Sequence, residues 1–236
     1  MTLSALIRLR QVLPAAVYAK LLSSFWRRHW RREQDRETLK HGRPAPNLVN
    51  SERAVLCEAV ARQFPFSNVL ELGSGFGQTF DTIAPLFPTA YFVGIDVDAE
   101  RVERARELAE ISKLGNTEFI AADAADLSRF SSNKFDLVIS SAALLFLDPS
   151  QLRAALVESA RVGSGTMLFL EQHEAGAGLG YVTEVNDTRG PYWIRDWISV
   201  TAEAIPGAEV RVEKIKNPLW TTECWQDLGC LVEIRL

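Results

Sequence analysis

The chain has 236 residues, of which 47% are hydrophobic and 24% charged, the usual balance of a soluble globular protein. That excludes a disordered chain, a collagen-like repeat and a small disulfide scaffold. The net charge of −4 hides a basic head, +6 over residues 1–36, on a body carrying −10. Such asymmetry signals a partner, but the body has no basic patch with interleaved aromatics, so nucleic acid is an unlikely ligand. No apolar run reaches the roughly 18 residues that a spanning helix needs. Arg8 and Arg10 interrupt the N-terminal apolar stretch, and no secretory pattern follows. Cys57, Cys224 and Cys230 lack metal-ligand spacing and are read as packed thiols in a reducing, cytoplasmic compartment.

The first predicted element is a helix opening at Pro14, a residue well suited to the first helical position. Val17-Tyr18, Leu21-Leu22, Phe25-Trp26 and His29-Trp30 recur every four residues, with Lys20, Arg27, Arg28, Arg31 and Arg32 gathered on the other side. Four residues overshoot one turn by about 40°, so the stripe drifts slowly round the helix. A basic amphipathic helix with aromatics on its apolar face suits an anionic membrane surface. Docking on the acidic body over an acceptor pocket, peripheral membrane contact, and a homodimer through residues 14–32 are the three ways to bury that stripe, and the charge asymmetry favours docking. His41-Gly42-Arg43-Pro44-Ala45-Pro46-Asn47 reads as a connector. It divides an extension, residues 1–46, from a main domain, residues 47–236.

Beyond the connector, helix and strand alternate. A helix is expected over residues 51–63 with Ser51 as its N-cap, then a buried strand at 68–72 running straight into glycines. A helix at 79–87, ended or bent by Pro85, leads to a strand at 91–95. Asp98 should cap a helix that runs to Ser112 and is ended by Gly115. Strands at 118–121 and 135–140 follow, with a short helix expected after Asp123. A helix at 150–162 is closed by Gly163, and a fifth strand covers 166–171. The strands are apolar on both faces, which predicts a parallel sheet covered on both sides. The tail reads as a helix over 193–205 and strands at 210–215 and 228–236, a closing hairpin whose last strand runs against the rest. The fold class is therefore α/β: a Rossmann-like sandwich, mostly parallel, seven-stranded, with a C-terminal antiparallel hairpin and an N-terminal helical extension.

Val69-Leu-Glu-Leu-Gly-Ser-Gly-Phe-Gly-Gln-Thr79 is the most informative stretch. Glycines stand where backbone turns tightly and a ligand must approach closely, and the first strand–helix crevice of such a sheet is the expected ligand site. A dinucleotide fold would place its third glycine where Gln78 stands. Gly73, Gly75 and Gly77, with Glu71 two places before them, instead resemble the first motif of the class I S-adenosylmethionine-dependent methyltransferases. That resemblance implies S-adenosyl-L-methionine as cofactor and S-adenosyl-L-homocysteine as product, with Glu71, Gly73, Ser74, Gly75 and Gly77 around it. Asp96 ends the second strand about 20 residues past the glycines, as a ribose reader should; a carboxylate is a pure acceptor and can take both ribose hydroxyls. Val97 follows it. Asp123 and Ala124 match the positions that read the adenine amine and ring, with helix capping the competing role for Asp123. Asp136 opens its strand away from the ligand edge and is read as structural. Ser140 lies at the far end, under the cofactor. The Asn/Asp-Pro-Pro-Tyr/Phe signature of nucleic-acid and amide N-methyltransferases is missing.

The reaction implied is methyl transfer to a small-molecule or lipid-like acceptor. If the acceptor is a hydroxyl or protonated amine, a base must take its proton. His173, just past the fifth strand, is the candidate, since a neutral imidazole suits a general base. A loop histidine without that role competes, and Glu171 and Glu174 are rival bases. No Asp, Asn and His cluster suggests a metal. The glycine-rich stretch from residue 174 to 193 reads as a lid, and Tyr181, Tyr192, Trp193 and Trp197 as pocket lining or core anchors. A methyltransferase fold without turnover, serving as a binding protein or scaffold, is the alternative; an NAD(P)-binding oxidoreductase is the weaker one.

Overall fold

In the computed structural model, residues 52–182, 192–215 and 227–236 are described. The N-terminal extension, Ser51 as a cap, and residues 183–191 of the expected lid lie outside them. The described elements are α1 (Glu52–Arg62), β1 (Asn68–Leu72), α2 (Gln78–Ile83), β2 (Tyr91–Asp96), α3 (Ala99–Ile111), β3 (Thr117–Ala121), β4 (Phe135–Ser141), α4 (Pro149–Val162), β5 (Gly163–Gln172), β6 (Tyr181–Val182), β7 (Trp193–Ile194), α5 (Trp197–Ala204), β8 (Glu209–Lys214) and β9 (Gly229–Arg235).

Seven strands form one sheet in the order β3-β2-β1-β4-β5-β9-β8. The first five are parallel, and β9 runs antiparallel to both β5 and β8. The hairpin is thus inserted with its last strand against β5, leaving β8 at the edge. Strand order reverses at β1, and such a switch point opens a crevice at the carboxyl ends of its strands.

The period-2 alternation of the strands feeds two cores. On one face Val69, Phe92, Leu137 and Leu168 pack under Leu56 and Val60 of α1, Phe80 and Ile83 of α2, and Val102 and Ala105 of α3. On the other, Leu70, Val93, Val138 and Phe169 meet Leu152 and Leu156 of α4 and Trp197 and Val200 of α5. Both faces being covered explains why the strands carry apolar residues throughout.

Local chemistry sets most boundaries. Asp98 accepts from Glu100 N at 3.1 Å and caps α3. The left-handed residue after that helix is Lys113 at φ 56°, not Gly115. Pro85 ends α2 as expected, through a 3₁₀ turn at Ala84–Leu86. Asp148 and Gln151 form a reciprocal capping box on α4, which starts one residue earlier than expected, and β5 begins at once at Gly163. Residues 122–130 form turns and bends, not the expected short helix.

One expectation fails more clearly. Trp193 and Trp197 do not share a helix: Trp193 belongs to β7 and pairs with Val182. The helix starts only at Trp197 because the Asp196 carboxylate accepts from Ile198 N at 3.1 Å and Ser199 N at 3.3 Å. Asp136 holds the start of β1, accepting from Ser67 N at 2.7 Å and Asn68 N at 3.0 Å.

Candidate active site

The glycine loop bends between β1 and α2. Ser74 N donates to Ile95 O at 2.8 Å, tying the loop to the end of β2, and Gly77 N closes a turn on Ser74 O at 2.8 Å. Gly73 and Gly75 both have positive φ, 70° and 53°, a conformation that favours glycine. Their surroundings differ. A Cβ on Gly73 would lie 2.3 Å from Ala143 Cβ, whereas a Cβ on Gly75 would meet nothing within 4 Å. Gly73 is therefore required by packing, while the space over Gly75 is open to a ligand.

Asp96 completes this cradle. Its Oδ2 accepts from Gly75 N at 2.9 Å and its Oδ1 from Asp98 N at 2.9 Å. Each oxygen retains a lone pair for a hydroxyl donor. Burial pushes the Asp96 carboxyl up, while the amides of Asp98 and Gly75 and the charge of Arg101 pull it back down. Arg101 also lies over the Phe76 ring at 5.6 Å. Ala122 N donates to Asp96 O at 3.0 Å, which sets Asp123 and Ala124 beside the end of β2. Asp123 Oδ1 accepts from Ala125 N at 2.9 Å, a local turn bond. Val97 is 53% exposed, an apolar face open to solvent at the same edge.

These groups fit an S-adenosyl cofactor on grounds of their own. The Ser74 hydroxyl is buried without a hydrogen-bond partner, Gly75 leaves room, and the Asp96 carboxylate offers acceptors only. Glu71 is buried at the end of β1. Ser140 stands apart: its fully buried hydroxyl donates to Leu72 O at 3.2 Å. Its side chain ties β4 to β1.

The far side of the crevice is built from β5 and the segment before α5. His173 Nδ1 accepts from Trp197 N at 3.1 Å, so in the neutral ring the proton sits on Nε2. Nε2 is then a donor; taking a proton there requires the tautomers to exchange and the Trp197 bond to break. Asp196 Oδ1 lies 4.0 Å from Nδ1. Trp197 itself is buried, its indole donating to Gln172 O at 2.9 Å. Tyr192 is buried, its hydroxyl accepting from Gln172 Nε2 at 3.2 Å. Glu171 is fully buried and its Oε1 accepts from Leu144 N at 2.8 Å and Ala143 N at 3.1 Å, so that oxygen is occupied by backbone. Burial pushes the carboxyl up to about 7. Arg195 is equally enclosed. Among the described residues no group of His, Cys, Asp and Glu could hold a metal.

A Gly-x-Gly-x-Gly loop at the switch point, bonded to an acidic residue ending β2, defines the class I S-adenosylmethionine-dependent methyltransferase architecture. Residues 69–164 match the methyltransferase domain family, which together with the fold supports a class I S-adenosylmethionine-dependent methyltransferase. It is 34% identical over 107 residues to trans-aconitate 2-methyltransferase of Deinococcus radiodurans, covering 45% of this chain and 38% of that one. The chain thus spans well under half the length of that curated relative. A SAM-dependent methyltransferase of Aquifex aeolicus superposes with TM-score 0.57 at 18% identity, over 84% of this chain and 96% of that one. The [4+2]-cyclase SpnF has TM-score 0.59 at 20% identity, over 77% and 79%. At these identities the solved structures speak for the fold.

Proposed function

We propose that this protein uses S-adenosyl-L-methionine to methylate a small-molecule or lipid-like acceptor. The observation that carries the reading is the bond from Gly75 N to Asp96 Oδ2, which joins the open glycine position to the ribose-reading carboxylate. Asp96 would hold the ribose hydroxyls. Val97 and Ala124 would flank the adenine, with Asp123 accepting from its amine. Glu71, Gly73, Ser74, Gly75 and Gly77 would line the amino-acid end, and Ser140 would support it from β4. When bound, the cofactor supplies a sulfonium methyl whose transfer needs alignment of nucleophile, carbon and sulfur more than acid or base.

His173 stands at the acceptor edge as the candidate catalytic group. Its bond with Trp197 suits it to donate through Nε2 and orient an acceptor oxygen. The extension at residues 1–46 is read as docking over the acceptor side of the main domain, residues 47–236. Membrane contact and self-association through residues 14–32 are the competing roles. Among the described residues no helix is long and apolar enough to cross a membrane. Trans-aconitate, named for the Deinococcus relative, makes small carboxylic acids the first acceptors to try.

A second reading keeps the fold without methyl transfer. It is favoured by the backbone bonds that Glu171 and His173 already make. Thermal shift with S-adenosylmethionine, S-adenosylhomocysteine and NADPH comes first, then a metabolite screen with labelled methyl donor. Stabilisation by the two adenosyl ligands alone is expected, about 2.7 kcal/mol at a hundredfold excess over Kd. Stabilisation by NADPH instead would sink the reading; binding without label transfer to any acceptor class would favour the second one.

A further inference from the structure

We propose that Glu171 and Arg195 are positioning residues, a buried pair that clamps the turn after β4 against Gly73 and so fixes the cofactor cradle. The proposal rests on the reading of that cradle given above.

The turn explains the need. Ala142 leaves β4 at φ 52°, and a single 3₁₀ turn follows at Leu144–Phe146. Its internal bonds are Phe146 N to Ala143 O at 3.2 Å and Leu147 N to Leu144 O at 3.1 Å. A turn this short leaves its first amides and its last carbonyl, Leu147 O, without internal partners, while Leu144 O keeps a second lone pair beyond its bond from Leu147 N. Glu171 Oε1 takes the amides, Ala143 N at 3.1 Å and Leu144 N at 2.8 Å. Arg195 takes the carbonyls, Nη1 donating to Leu144 O at 3.1 Å and Nη2 to Leu147 O. An anion at the amide end and a cation at the carbonyl end also match the dipole of the turn.

The clamped turn is the wall of the glycine loop. Ala143 sits where a Cβ on Gly73 would lie, 2.3 Å away, so a displacement of Ala143 is felt at the first cradle glycine. The other end of the clamp reaches the acceptor side. Arg195 O accepts from Glu174 N at 3.0 Å, and the two residues after it bind Gly176 N and the His173 ring. One guanidinium thus joins the acceptor-side segment to the cofactor loop.

Burial argues that this pair does more than stabilise. Glu171 and Arg195 are 0% and 1% exposed, and two desolvated charges contribute less to stability than well-packed apolar side chains of the same size. Glu171 Oε2 and Arg195 Nε are also buried without partners. A pair with that cost is better explained by holding a turn in register than by folding energy.

The test uses the full chain with S-adenosylhomocysteine as the probe. Glu171→Leu and Arg195→Met should each weaken its binding about tenfold or more, as small displacements of a positioned site do. Glu171→Gln, which keeps the Oε1 acceptor, should recover most of that loss. In the unmodified protein, S-adenosylhomocysteine should slow amide exchange at residues 143–145 and 193–197 together with 73–77, a readout that does not depend on any variant folding. Protection confined to 73–77, or folded Leu and Met variants with unmodified affinity, would overturn the clamp while leaving the cofactor reading intact. Failure of the unmodified protein to bind the probe would remove the cofactor reading and the clamp with it.

Discussion

Across the crevice, the β1–β3 side and the β4–β5 side treat their polar groups in opposite ways. On the first, Gly75 opens on free space, the Ser74 hydroxyl has no partner, and each Asp96 oxygen takes a single backbone amide. On the second, Glu171, His173 and Arg195 are bonded to the protein's own backbone. The first side is arranged to meet a ligand through groups kept available. The second is arranged to hold shape, and it presents an acceptor with few groups ready to move a proton. That contrast fits a reaction governed by alignment, in which the sulfonium already carries its leaving group.

The comparison breaks most visibly at the glycines. Gly75→Val should remove S-adenosylhomocysteine binding, more than about a hundredfold by calorimetry, because the side chain fills the open space. Gly73→Ala should instead unfold the protein more easily, by about 3 kcal/mol in urea, since left-handed strain adds to collision with Ala143. If both substitutions act mainly on stability, the distinction between the two positions is lost. Asp96→Ala sharpens the ligand-facing side: binding should weaken by about 1.5–3 kcal/mol, the worth of hydrogen bonds to a charged group. Unchanged affinity would return Asp96 to loop support.

Glu171 offers a test of the shape-holding side through pH. Burial raises its carboxyl from the usual 4.5 to about 7, so the folded state binds the proton more tightly than the unfolded one. Stability relative to Glu171→Gln should therefore fall as pH rises from about 4.5 to about 7, by about 2 kcal/mol. Arg195 and the Cys230 thiol are the other titratable groups acting on it. A flat difference between the two proteins across that range would show that the carboxyl does not titrate there. The smallest effect is local: Asp98→Ala should cost about 1 kcal/mol by loss of the α3 cap, with Asp96 still bonded to the amide at position 98.

The sequence determined what depends on neighbours a few residues apart. The strand running into glycines, the Gly73-Gly75-Gly77 spacing, Asp96 at a strand end and the cap at Asp98 are all short-range patterns, and their order identified the cofactor side. Where two short-range signals competed, the nearer bond won. The spacing of Trp193 and Trp197 suggested one helix, but the Asp196 carboxylate starts the helix after Trp193 has already paired as strand. A charged residue within the apolar run Met167-Leu-Phe-Leu170-Glu171 was a visible sign of something buried, though it pointed equally to a base. Tertiary structure alone decided that β9 inserts between β5 and β8, pairing Thr166 with Arg235, and that Arg195 reaches Leu144 from 51 residues away. Sheet order and the backbone partners of buried charges depend on which distant segments share space. No local period encodes that, because the partners meet only after the chain has closed around them.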